Sequence, residues 1–306
     1  MIKAIEVTNF RNESLYLELS NPYDSGLVIE SITGLGPVKA NINTTELATS
    51  DGSIYNSARA LSRNIVITFR FLPDPETQLV ETVRQRTYKY FPLKKMLTLM
   101  IETDHRIAMI QGYVESNEPD IFQKEEKAQI SIVCPSSYFY IPDSTITLNG
   151  VESSFYFPFS NESLTDDLII FGNIVSSIST EYMYDGDIDS GVVFHIHAID
   201  DVENITLYNM ATRERMNINT GVIASIVNDG NNNLISGDDV YLSTISGDRY
   251  IYLVRGGKQY NILPCLPKIT DWIKIIKGSN VFGYTADNGK SDTIIEIFTN
   301  VLYEGM

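Results

Sequence analysis

The sequence predicts a mainly β protein of two domains, with one short helix in the first. Three observations carry that expectation. Its 18 Tyr and 13 Phe, with many Ile, Val and Thr, are the residues that pack well on a pleated surface. Apolar and polar side chains alternate over short runs, as at Ile65, Ile67, Phe69 and Phe71. Turn-forming clusters such as Asn228-Asp229-Gly230-Asn231 and Asp287-Asn288-Gly289 punctuate those runs.

Length and composition set the bounds. A chain of 306 residues suits one to three domains, and two is the natural division. Hydrophobic content of 43% with 20% charge describes a globular chain. No apolar run approaches the roughly 18 residues that a membrane span needs. The start, Met1-Ile2-Lys3-Ala4-Ile5-Glu6, lacks an apolar signal core, so folding in a cytoplasm is expected. Cys134 and Cys265 are too isolated for a disulfide framework or a zinc signature, and both are expected to be reduced structural residues.

The elements follow in order. Segments 3–9 and 15–19 suit an opening hairpin, with Leu15, Leu17 and Leu19 on one face. Asn21-Pro22-Tyr23-Asp24-Ser25-Gly26 is a turn cluster, and a strand at 27–32 is stopped by Gly34, Gly36 and Pro37. Residues 39–62 are polar without clear period, the pattern of an interaction loop or flexible arm. A strand covering 64–72 comes next. A helix is expected over 75–90, with Asp74 as cap, Pro75 in the first turn and Leu79, Val80 and Val83 as its apolar stripe. Arg84, Arg86 and Lys89 match the negative end of its dipole, a better reading than a nucleic-acid patch. Strands at 96–101, 107–113 and 128–134 complete a first domain, residues 1–140. After Pro135-Ser136-Ser137, residues 141–306 read as a second domain. Its short strands are expected near 168–171, 191–198, 205–209, 215–218, 221–226, 240–243, 250–254, 272–276 and 294–298, a β-sandwich pattern.

Net charge is −16, placed unevenly: −3 over residues 1–140 and −13 over 141–306. Such an acidic second half argues against nucleic-acid binding, which needs Lys and Arg to displace counterions. Solubility is the simplest use of that charge; avoidance of passing DNA or attraction of a basic partner are sharper ones.

Chemistry-bearing candidates are few. His195 and His197 share one face of a strand and form half a metal site at most; an outer sheet face opposite Phe194 and Ile196 is the better reading. Asp185-Gly186-Asp187-Ile188-Asp189-Ser190-Gly191 begins like a calcium loop, but Ser190 and Ile196 stand where that motif needs Gly and Glu. Asp229, Asn231 and Asn233 also lack a closing carboxylate, and turn chemistry explains both stretches. The pairs Asp166-Asp167, Asp200-Asp201 and Asp238-Asp239 read as solvated turns. No nucleophile elbow, phosphate loop or dinucleotide fingerprint occurs, so no enzyme activity and no cofactor is expected.

An ordered series of short segments resembles the phage distal tail protein (Dit) family. It runs through Gly34-Leu35-Gly36-Pro37, Asp51-Gly52-Ser53-Ile54-Tyr55 and Arg63-Asn64-Ile65-Val66-Ile67. It continues with Gln111-Gly112-Tyr113-Val114-Glu115-Ser116, Glu118, Phe122, Cys134-Pro135 and Tyr138-Phe139. The second half adds Tyr184-Asp185-Gly186-Asp187, Gly191-Val192-Val193-Phe194-His195-Ile196, Asn204-Ile205-Thr206-Leu207-Tyr208-Asn209, Trp272-Ile273-Lys274-Ile275, Gly278-Ser279-Asn280 and Tyr303-Glu304-Gly305. Ser136-Ser137 departs from the acidic residue and proline frequent there.

The resemblance implies a split β-barrel ring domain followed by a galectin-like or carbohydrate-module-like β-sandwich. It implies a homo-hexamer ring around a channel for DNA, at the tail tip or baseplate of a virion assembled in the bacterial cytoplasm. Its partners would be the tail tube protein, a tail-associated fibre or hydrolase hub protein, and receptor-binding or baseplate proteins. The 39–62 segment is then placed at a neighbouring subunit, with Asn43, Thr45, Asp51, Gly52, Ile54, Tyr55 and Arg59 as candidate contacts. The alternative is a carbohydrate-binding adhesion protein, for which Tyr182, Tyr184, Tyr250 and Tyr252 are candidate glycan contacts and strand residues first.

Overall fold

The computed structural model describes residues 1–48, 51–74, 79–122, 124–148, 150–153, 172–175 and 179–306, and strands dominate them. The chain divides into two compact units, Met1–Ile141 with Leu302–Met306, and Pro142–Val301. The C-terminal segment Leu302–Met306 therefore belongs to the first unit, whereas the sequence reading gave all of 141–306 to the second.

In the first unit, β1 (Ile2–Asn9) and β2 (Ser14–Glu18) form the opening hairpin. Next come β3 (Leu27–Thr33), β4 (Ala40–Glu46), β5 (Ser53–Ala60) and β6 (Arg63–Phe71). Helix α1 (Val80–Tyr90) precedes β7 (Met96–Thr103), β8 (Ile107–Asp120), β9 (Lys127–Cys134) and the start of β10 (Phe139–Leu148). The antiparallel order is β2-β1-β7-β8-β9-β6-β3. β8 serves three partners: residues 107–113 pair with β7, Met109 also pairs with Tyr140 of β10, and from Tyr113 onward it pairs with β9 through a bulge between Val114 and Ser116. A bulge bends the strand that carries it, and here it folds the sheet over its own core in the manner of a split barrel. That core is built on the expected alternation, with Ile65, Ile67 and Phe69 fully buried.

Two expectations change. The helix begins at Val80 after Leu79, which is extended and supplies no side-chain cap. Asp74 is too far upstream to cap it, and Pro75 and Glu76 lie outside the described residues. Val83 and Thr87 are buried, and Phe91, just past the helix, packs on Phe69 at 5.6 Å. Its cations are tied within the unit: Arg84 to Glu126 at 3.0 Å, Lys89 to Glu13 at 3.2 Å, and Arg86 to the Ser25 carbonyl. The second change is at 39–62, which is no loop: β4 and β5 pair from Ala40↔Ala60 to Glu46↔Ser53. Solvent on both faces of this hairpin removes the apolar alternation by which a strand is read.

The second unit continues through β11 (Gly150–Ser153), β12 (Gly172–Val175), β13 (Ser179–Tyr184), β14 (Ser190–Gly191), β15 (Val193–Ala198), β16 (Glu203–Asn209) and β17 (Glu214–Ile218). A short α2 (Ile223–Val227) stands where a strand was expected at 221–226, closed by Asn228 in the left-handed region at φ 61°. Then come β18 (Asp239–Ser243), β19 (Tyr250–Arg255), β20 (Lys258–Asn261), β21 (Lys274–Ile275), β22 (Gly278–Asn288) and β23 (Thr293–Tyr303). The aromatic run 155–159, the expected strand at 168–171 and Asp166-Asp167 lie outside the described residues. One sheet runs β23-β15-β18-β19-β20 and the other β13-β22-β16-β17. Alternate residues of both are buried, among them Ile196, Leu242, Leu253, Leu207 and Ile218, and Phe194 meets Phe282 edge-to-face at 6.4 Å.

Candidate functional site

The β4–β5 hairpin is the arm of the first unit. Asn43, Thr45, Ile54, Tyr55 and Arg59 lie on its strands, with Asp51 and Gly52 at its turn. A bulge between Asn43 and Thr44 interrupts the register, and Asn43 to Ser57 (3.1 Å) and Asn56 to Thr45 (2.6 Å) tie the strands through side chains. Every residue from Ala40 to Arg59 in these strands is exposed, including Ile54 at 51% and Tyr55 at 63%. A lone two-stranded hairpin is marginal in water, so such an arm gains most from a second surface.

Its base is built around Arg63, the first residue of β6, which is 1% exposed. The guanidinium donates to the carbonyls of Gly34, Gly36 (2.6 Å), Ser137 (2.9 and 3.2 Å) and Glu304 (2.6 Å), and stacks on Phe139 at 4.4 Å. Burial pushes its pKa below the ordinary arginine value; the ring of carbonyl dipoles offsets that desolvation. The C-terminal segment docks beside it, the Met306 amide donating to Leu35 at 3.0 Å and Arg106 lying over the Tyr303 ring at 4.2 Å. One residue thus joins the entry to the arm, the turn before β10 and the chain's end. Sequence reasoning missed Arg63, although its phase with Ile65, Ile67, Phe69 and Phe71 marked it as inward-facing.

In the second unit His195 and His197 lie on the outer face of β15, with Phe194 and Ile196 buried behind them. His195 bridges Glu296 (Nδ1, 3.0 Å) and Asp239 (Nε2, 2.9 Å), and His197 Nδ1 meets the same Asp239 oxygen at 2.9 Å. Burial opposes protonation of His195, but hydrogen bonds to Glu296 and Asp239 outweigh it and its pKa is raised. Burial likewise opposes ionisation of Asp239, and bonds to His195 and His197 outweigh it, so its pKa is lowered. A stack continues from this histidine: His195 on its cross-strand neighbour Tyr241 at 4.6 Å, Tyr241 on its cross-strand neighbour Tyr252 at 5.1 Å, and Tyr252 on Tyr250 of the same strand at 5.4 Å.

The four tyrosines named for glycan contact do not form one face. Tyr250 and Tyr252 belong to the stack, where each inner ring face is already covered by a neighbour; a sugar needs an open ring face. Tyr182 is half-buried on β13 of the other sheet. Tyr184 is a core residue at 1% exposure, its hydroxyl donating to Ile188 at 2.8 Å, and is unavailable to any ligand.

Oxygen-rich loops are occupied by the protein itself. Asp229 caps the Asn231 amide at 3.0 Å and pairs with Arg255 at 2.6 Å, while Asp187 pairs with Lys277 at 3.2 Å. Among the described residues, no three His, Cys, Asp or Glu side chains are placed to hold a metal ion. Cys134 and Cys265 are free and buried, and burial pushes each thiol up to about 11.

No family model matches the chain, and no curated protein matches it significantly. Solved structures do. The SPP1 Dit protein (gp 19.1), described as a paradigm of the hub adsorption apparatus in phages infecting Gram-positive bacteria, aligns at 10% identity with a TM-score of 0.61, over 97% of this chain and 99% of that one. A chain of the phage P2 baseplate, in its activated conformation with Ca, aligns at 10% identity with a TM-score of 0.48, over 97% and 98%. This chain shares the fold of the SPP1 Dit protein along nearly its whole length.

Proposed function

We propose that this chain is a structural hub of a phage tail tip or baseplate. Six copies close into a ring through the first unit, around a channel for DNA, and join the tail tube to tail-tip and receptor-binding proteins. The carrying observation is the end-to-end fold likeness to a Dit hub protein, which extends over both units. The arm supports it. A heterologous contact, repeated by rotation until it closes, is how identical subunits make rings. An exposed hairpin offering Ile42, Ile54 and Tyr55 is suited to such a contact. The work is assembly, with the hairpin residues Asn43, Thr45, Ile54, Tyr55 and Arg59 at the neighbouring subunit.

Light scattering on the purified protein tests the ring. The parent chain is expected at six times its 34.4 kDa mass. Ile54→Asp with Tyr55→Ser should leave monomers with an unchanged circular dichroism spectrum, because both side chains are exposed. A parent chain that stays monomeric, or a variant that still assembles, overturns the arm-mediated ring. Among the described residues, the Tyr241, Tyr252 and Tyr250 rings are stacked on one another, which leaves little open ring face for the sugar-binding alternative.

A further inference from the structure

Segment 249–277 inverts the charge of its surroundings. Residues 141–306 hold nine Lys and Arg against 22 Asp and Glu, yet six of those nine cations fall within 249–277, beside one acid, Asp271. Arg255 is buried against Asp229 and Asp238, and Lys277 pairs with Asp187. Arg249 and Lys268 are exposed and enter no ion pair among the described residues. Arg215, on neighbouring β17, is in the same condition.

These three cations frame an apolar loop. Leu263 is 50% exposed and Ile269 is 93% exposed. Three grooves adjoin along this loop. The first lies between Arg249 and Leu263, the second runs from Leu263 past Lys268 to Trp272, and the third passes Ile269 to Arg215. Leu263 is common to the first two, and Pro267 with Thr270 to the last two, so the surface is continuous.

The loop is held rigid from below. Cys265 is buried and its carbonyl accepts from the Asn219 amide at 2.8 Å; Ile273 and Ile275 are buried at the other end. Pro264 and Pro267 restrict the backbone between these anchors. A rigid loop that displays apolar side chains loses little entropy when a partner covers them.

We propose that this surface binds an acidic polypeptide segment carrying apolar side chains. Its carboxylates face Arg215, Arg249 and Lys268, and its apolar side chains cover Leu263 and Ile269. Charge complementarity selects this occupant: the surface is a basic island, and an apolar floor suits a peptide better than a sugar. The inference rests on the second unit alone and stands whether or not six copies form a ring.

The test uses the full chain and a labelled peptide alternating Glu with Leu and Ile, followed by fluorescence anisotropy. The parent protein binds it, added salt weakens binding, and a matched peptide with Lys in place of Glu does not bind. Lys268→Glu and Ile269→Asp each weaken binding by about tenfold or more, as for loss of an interface anchor. Both positions are exposed, so thermal unfolding should be unchanged in the variants. Equal binding of the Lys peptide, full binding by either variant, or no binding by the parent overturns the proposal. Salt-sensitive self-association abolished by the same variants would place a second copy on the surface and overturn it too.

Discussion

Replacing Arg63 should loosen three segments of the first unit at once. Its side chain is 1% exposed and supplies donors to four carbonyls, those of Gly34, Gly36, Ser137 and Glu304. Arg63→Ala leaves those acceptors without it. Gly34, Gly36 and Glu304 lie at the surface, where water can take over in part, so each loss is set at about 1 kcal/mol. The stack on Phe139 adds roughly 1 kcal/mol, and relief of a buried cation that has no carboxylate partner among the described residues offsets some of the total. The net expectation is a loss of about 3 kcal/mol. Arg63→Lys should recover less than half, since one ammonium cannot span the positions that a planar fork reaches. Trp272, the single tryptophan, lies in the second unit. Urea unfolding by far-ultraviolet circular dichroism should therefore shift while tryptophan fluorescence holds its midpoint. Hydrogen exchange at the Met306 amide, bonded to Leu35 at 3.0 Å, should accelerate. An Arg63→Ala protein within about 0.5 kcal/mol of the parent, the range of ordinary surface changes, would refute the clasp.

Other perturbations follow from the same geometry. Gly34 sits at φ +85°, where an added Cβ would run into the Asn64 carbonyl; Gly34→Ala should cost about 2 kcal/mol or more, and an unchanged melting midpoint would contradict this. His195 has a raised pKa, so its contribution is fully present below its ordinary value of 6.5 and is lost as pH rises through the raised value. Asp239 has a lowered pKa, so its contribution is present above its ordinary 3.8 and is lost as pH falls through the lowered value. Melting of the second unit, followed by Trp272 fluorescence, should fall as pH rises above 6.5 through the raised value, and His195→Gln should flatten that slope; an equal slope in the variant would contradict it. Cys134 and Cys265, with thiols pushed up to about 11, should resist a thiol reagent in the native protein and react on unfolding; rapid native labelling would contradict their burial.

What the sequence disclosed depends on where water lies. Strands with one wet and one dry face, such as β6 with Ile65, Ile67 and Phe69 inward, were legible because alternation reports a half-buried sheet. β22 was not. It lies between β13 and β16 and carries Gly278, Asn280, Gly283 and Asn288, which read as turn chemistry. Asn280 is buried there because its amide bonds Asn209, Ile276 and Gly278, and Gly283 leaves room for the Tyr208 ring. In the arm, expected as an interaction loop or flexible arm, the strand pairing is hidden because water on both faces erases the period. Of the candidate site, the position of the arm was legible and its pairing was not. The Tyr184 contact failed because strand aromatics point inward as readily as outward. Arg63 and Arg255 share a signal that sequence reading can use: each continues an inward-facing series at a strand's end, and each is buried among oxygens.

Negative-stain imaging of the purified protein tests the central claim most directly. Rings of six units with an open centre, lost when Ile54 and Tyr55 are replaced together, are the predicted result. Compact particles without a central opening, at concentrations where the chain is fully folded, would contradict the reading of this protein as a tail hub.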